Sequence, residues 1–184
     1  MTPRTEQHCL TVRAADRTYR LDGPQAFRFA YALLRRRKYQ EATRVLEWLL
    51  EANPSRDAVV VLLAYCKATA RDYQASNRLL CQQLSEQHRT KADQLQAALV
   101  YLTVGMWKDA AEEFFMLVRA CPHLPVICLL LGDVLAYQGQ RTKALLCWRL
   151  AVKRDRDDGL VAVVAQQMLS AHLGASSQGR DAVD

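Results

Sequence analysis

Cys121, His123 and Cys128 are close in sequence and of the types that ligate zinc, which makes them the first place to look for chemistry. A closed zinc site needs four ligands. Here a fourth is missing and Pro122 puts a turn between the first two, so core cysteines and a surface histidine account for the same residues. None of the six cysteines (Cys9, Cys66, Cys81, Cys121, Cys128, Cys147) forms C-x-x-C, and the four histidines (His8, His88, His123, His172) have no H-E-x-x-H spacing. The acid pairs Glu112-Glu113 and Asp157-Asp158 are of the kind used in general acid–base catalysis. Each falls at the start of an expected helix, where carboxylates complement the dipole. No glycine-rich phosphate loop and no G-x-S-x-G nucleophile turn occurs. The residues therefore predict a chain that is not an enzyme, with no catalytic residue, no metal site and no cofactor.

The elements that would carry these residues begin from composition. The chain has 184 residues, 51% hydrophobic and 24% charged, with 7 Gly and 5 Pro, as in an ordered globular domain. Apolar runs such as Val59 to Tyr65 and Leu124 to Leu131 are far shorter than the roughly 20 residues that span a bilayer. The first twenty residues lack the apolar core of a signal peptide, so a cytoplasmic location is expected. Net charge is +6, and the excess sits at one end: residues 1–44 hold 10 Lys/Arg against 4 Asp/Glu, the rest 15 against 15.

A period of 34 residues organises the chain. Tyr39, Tyr73, Trp107 and Arg141 recur at that interval, as do Ala42, Ser76, Ala110 and Ala144. Leu46, Leu80, Phe114 and Trp148 form a bulky column, and Ala30, Ala64, Ala98 and Gly132 a small one. Small residues let helices approach, and the bulky ones fill the gap between them. Each unit thus reads as an antiparallel helix pair. Pro54 and Pro122 punctuate the first and third units, where the second has His88 and the fourth Arg156.

With these columns the sequence resembles a tandem of tetratricopeptide repeats, best in DQLQAALVYLTVGMWKDAAEEFFMLVRACPH. The resemblance implies an all-α, right-handed α-solenoid of about four helix pairs (about 23–56, 57–90, 91–124 and 125–157) closed by a capping helix at 158–173. First helices are expected near 24–36, 57–70, 91–104 and 125–138, and second helices near 40–51, 74–86, 108–120 and 142–154. Residues 174–184 are expected to be a disordered tail. Residues 1–22 are an N-terminal extension, either a short hairpin, which their apolar–polar alternation suits, or without fixed structure.

In such an array the first helices line a concave groove. The register assigns that face Phe27, Tyr31, Leu34, Val61, Tyr65, Ala68, Leu95, Leu99, Leu102, Leu129, Asp133 and Tyr137, a mostly apolar and aromatic stripe suited to a hydrophobic or amphipathic helical segment of another protein. Relatives that clasp acidic chaperone tails place Lys and Asn where this chain has Phe27 and Tyr31, so that role is not expected. In size and groove the chain is similar to the bacterial type III secretion chaperones of the tetratricopeptide type. The expected function is protein binding, as such a chaperone or as an adaptor in a multiprotein complex. A small-molecule substrate is not expected, and an open groove makes a homodimer one of the states to test for. Arg28, Arg35, Arg36, Arg37, Lys38 and Arg44 form a basic patch that could meet nucleic acid, a lesser reading because cations at a helix C-terminus also complement its dipole.

Overall fold

The computed structural model describes residues 9–14, 17–54, 56–155 and 159–177. His8, Arg156, the Asp157-Asp158 pair and residues 178–184 lie outside them. The chain is an all-α, solenoid-like array of sequentially packed helices preceded by a two-stranded hairpin. Strands β1 (Leu10–Ala14) and β2 (Arg17–Leu21) pair antiparallel, with Leu10 opposite Leu21. Both of these leucines pack on the helical core.

The helix pairs are α1 (Gly23–Arg35) with α2 (Tyr39–Ala52), α3 (Asp57–Thr69) with α4 (Tyr73–Gln83), α6 (Ala92–Val104) with α7 (Trp107–Ala120), and α8 (Pro125–Tyr137) with α9 (Arg141–Arg154). A short helix α5 (Glu86–Arg89) sits between the second and third pairs, and α10 (Leu160–Ser177) follows the fourth. The expectation that the second unit's outer helix reaches 86 is corrected by the break at Leu84 and Ser85. The tail expectation is corrected for residues 174–177, which continue α10.

Local chemistry sets the helix starts and turns. Asp22 caps α1: its carboxylate accepts from the Gln25 amide at 2.8 Å, and the Gln25 side chain accepts from the Asp22 amide at 3.2 Å. Each turn inside a pair contains one residue with positive φ, and these follow the same period: Arg37 at 59°, Arg71 at 63°, Gly105 at 80° and Gly139 at 74°. Glycine takes this conformation without strain and arginine does not. Arg71→Gly is therefore expected to stabilise the fold by about 0.5 to 1 kcal/mol, a rise of a few degrees in Tm, while Gly105→Arg lowers it. Thermal melts of the two variants check the turn register.

Packing follows the columns. Ala42, Ser76, Ala110 and Ala144 are fully buried, as are Leu46, Leu80, Phe114 and Trp148. Ser76 fits the column because its hydroxyl is met by the Ala64 carbonyl (2.8 Å) and Gln96 Oε1 (2.7 Å). In the fourth pair the bulky residue is Trp and the small one Gly. A Cβ at position 132 would overlap the Trp148 indole ring.

The array curls back on itself. Helix α10 packs on α9 and α8, and also on α1 at the other end of the chain; α3 reaches α8. Tyr31 of α1 donates a hydrogen bond of 2.6 Å to Asp133 Oδ2 of α8, and Arg35 Nη1 lies 3.0 Å from Met168 Sδ of α10. The space that an open array would leave concave is filled by its own side chains. Helices α3 and α8 are buried on nearly every side, Val59 to Ala64 and Val126 to Leu131 without a break, as expected of helices apolar all round.

Helix α10 buries Leu160, Val161, Val164, Ala165 and Met168. Full burial of a large apolar side chain contributes about 1.5 to 3 kcal/mol, so a chain ending at Asp158 should lose its cooperative melt and self-associate. Calorimetry and light scattering report both effects; an equally stable monomer would remove the closing role of α10. No helix among the described residues is long and apolar enough to cross a membrane.

Candidate interaction cleft

Closure leaves a partly open cleft of about 320 Å³ where α1, α6 and α8 finish. Its floor is Leu34, Leu102, Leu130 and Val134; Tyr31, Arg35, Arg37 and Asp133 supply its polar groups; Tyr39, Tyr65, Trp107 and Tyr137 supply its aromatic rim. Each of these four rings comes from a different helix pair. Trp107 and Tyr137 stack with centroids 5.0 Å apart and planes 3° from parallel, and Tyr39 meets Tyr65 edge-on at 6.2 Å. Tyr137 is 62% exposed, and Val104 and Met106 beside the rim are also exposed.

A mostly buried carboxylate lies on one wall. Asp133 is pushed above the usual carboxylate range by burial, which outweighs the Tyr31 hydrogen bond, the Arg35 guanidinium and the Trp148 indole that favour its charge. Burial first, then Asp133, raises the Tyr31 hydroxyl well above its ordinary value. Burial likewise raises the Tyr65 hydroxyl, aided by the neighbouring Tyr39.

The inward-face assignments divide sharply. Tyr31, Leu34, Tyr65, Leu102, Asp133 and Tyr137 are brought together at the cleft. Phe27, Val61, Leu95, Leu99, Ala68 and Leu129 are core, and their assignment to a groove is corrected. The register put them on the side facing the array's axis, as expected, but curling packs that side against other helices. Tyr39 and Trp107 escaped the groove assignment because they start second helices; their place in the 34-residue aromatic column was the available signal.

The basic residues do not act as one group. Arg28, Arg35, Arg36, Arg37, Lys38 and Arg44 are all exposed, but only Arg35 and Arg37 line the cleft, and Lys38 pairs with Glu41 at 3.1 Å. The cysteine–histidine cluster separates: Cys121 and Cys128 are buried, with thiols raised by burial, and His123 is exposed. Among the described residues no three His, Cys, Asp or Glu gather as metal ligands. Burial also lifts the thiols of Cys66 and Cys147 to about 11, which leaves them protonated and poor nucleophiles. Glu112 and Glu113 stand in the second turn of α7, beyond the first turn that holds Asp109, so their placement at a helix start is corrected; Glu113 accepts from Gln94 at 3.0 Å.

One polar cluster had no clear sequence signal beyond His88 standing where two other units have proline. His88 Nδ1 lies 2.7 Å from Asp57 Oδ2 and 2.8 Å from Ser85 Oγ, and Ser85 Oγ donates to the same Asp57 oxygen at 2.7 Å. Burial alone would raise Asp57, but the bonds from His88 and Ser85 hold it below the usual carboxylate range. These residue types match a hydrolytic triad; the geometry does not. Serine and aspartate meet the same ring nitrogen, while His88 Nε2 is buried without a partner, so no relay runs from serine through the ring to the acid. The cluster ties α5 to the start of α3.

A wider depression of about 770 Å³ between α2, α3 and α4 is edged by Glu47, Glu51, Lys67, Arg78 and Gln82, and the Glu47–Lys67 pair (3.0 Å) holds two of these side chains. It gathers no aromatic side chain. Comparisons with protein families, curated proteins and solved structures find no match to this chain.

Proposed function

We propose that the chain is a tetratricopeptide-type protein-binding module of the cytoplasm, and that it grips its partner at the aromatic rim of the cleft and not in an open concave groove. The observation that carries this reading is the gathering of Tyr39, Tyr65, Trp107 and Tyr137, one from each helix pair, around an apolar floor. Half-buried rings that edge an apolar pocket, with Tyr137 the most exposed of the four, are the surface type that concentrates binding energy. A cleft of this size takes one or two side chains of an extended segment or a helix end, and the filled interior has no room for a whole helix lying along it.

The likeness to type III secretion chaperones makes a translocator or needle-type subunit the first class of partner to try. Coexpression tests this form of the proposal. A one-to-one complex that keeps an otherwise aggregating partner soluble supports the chaperone. A partner that is soluble alone and joins a third protein through this chain supports the adaptor. The homodimer is read from sedimentation of the isolated chain.

A further inference from the structure

Resting on the reading of the cleft as the protein-binding surface, the charges within it identify the chemistry of the segment it takes. Two guanidinium groups and one carboxylate line the cleft. One oxygen of the carboxylate is engaged, Asp133 Oδ2 accepting from Tyr31 at 2.6 Å, and Oδ1 is sealed from solvent without a hydrogen bond. Arg35 is poorly matched by comparison. Its Nε is 3.9 Å from Asp133, its Nη1 is directed at the thioether of Met168, and its side chain is 43% exposed. A thioether is a weak acceptor, whereas the guanidinium fork fits a carboxylate with two parallel bonds. Arg37 stands beside it, fixed by the left-handed turn at the cleft's edge. The cleft also lies at the end of α1, within the stretch that holds the chain's whole excess of positive charge. On its other side the stacked Trp107 and Tyr137 offer an open ring face.

We infer that the cleft selects a partner segment in which a side-chain carboxylate adjoins an apolar or aromatic side chain. Arg35 and Arg37 take the carboxylate, and the Trp107–Tyr137 pair takes the apolar group. Asp133 opposes this choice at short range, so neutralising it should improve binding. A merely structural carboxylate would not behave so.

The test uses three acetylated and amidated peptides, Gly-Phe-Asp-Phe-Gly and its Asn and Lys counterparts, titrated into the full chain while the Trp107 indole N–H is followed by NMR. Amidation removes the terminal carboxylate, so only the side chain is read. The Asp peptide should bind roughly tenfold more tightly than the Asn peptide, the gain expected of a charge-assisted bond. Arg37→Gln, at an exposed turn, should erase most of that preference, and Asp133→Asn should raise affinity for the Asp peptide about threefold. The Trp48 indole signal, from α2 and outside the cleft lining, serves as the control for folding. Equal or tighter binding of the Asn or Lys peptide overturns the inference and leaves the cleft as a binding surface. Failure of all three peptides to shift Trp107 removes both. A Trp107 signal that moves with protein concentration alone assigns the cleft to a second copy and also overturns the proposal.

Discussion

Leu99→Asp leaves no cooperatively folded protein at 25 °C, while Tyr137→Asp, which loses one exposed stacked ring, keeps a cooperative melt lowered by only a few degrees. Leu99 lies on α6 with none of its surface exposed, inside the continuous core that joins the helix pairs. Losing its apolar volume costs about 2 to 5 kcal/mol. The carboxylate adds several more if charged, or a raised pKa and unpaired oxygens if neutral. Together these approach the 5 to 15 kcal/mol that a whole domain has. Circular dichroism melts of the two variants read the difference. A folded Leu99→Asp protein with an unchanged Tm would mean that the array is open and that Leu99 faces a groove.

Gly132→Ala is the second large effect, because one methyl group enters a space already filled by Trp148. The indole is fully buried, so it cannot swing aside without displacing α9. Overpacking of this kind costs about 1 to 3 kcal/mol, and at about 2 to 4 °C per kcal/mol the drop in Tm is easily measured. The diagnostic is a change of sign. Trp148→Phe alone destabilises by leaving a void, but in the Gly132→Ala background it should stabilise, since the smaller ring makes room for the methyl group. Additive losses in the double variant would show that the two positions do not meet.

How much of this was written in local sequence depends on how far apart the interacting residues lie. The bulky and small columns were legible because each pair of positions is sixteen residues apart within one unit, as in Gly132 and Trp148, and the pattern repeats. The left-handed turns at Arg37, Arg71, Gly105 and Gly139 share that period, although two of them carry arginine and so lack the usual glycine signal. Curling is different. It joins Tyr31 to Asp133 and Arg35 to Met168, 102 and 133 residues apart, and it follows from small rotations accumulated between units. One clue was local: VVVLLAY in α3 and PVICLLLG in α8 are apolar on all sides, whereas a helix lining an open groove would need only its packing faces apolar. The His88–Asp57–Ser85 cluster joins groups about 30 residues apart and was visible only as a missing proline.

The central claim, that recognition occurs at the cleft rim of a closed array, is tested most directly by calorimetric titration of a partner recovered by coexpression into three forms of the chain. These are the wild type, Tyr137→Asp and Tyr73→Asp. Tyr73 belongs to the same 34-residue column as Tyr39 and Trp107 and is 39% exposed, but it does not line the cleft. Recognition at the rim predicts that Tyr137→Asp weakens binding roughly thirtyfold, the loss of about 2 kcal/mol typical of a central anchor, with a cooperative fold retained, and that Tyr73→Asp binds as the wild type does. Undiminished binding by Tyr137→Asp, with folding intact, would contradict it.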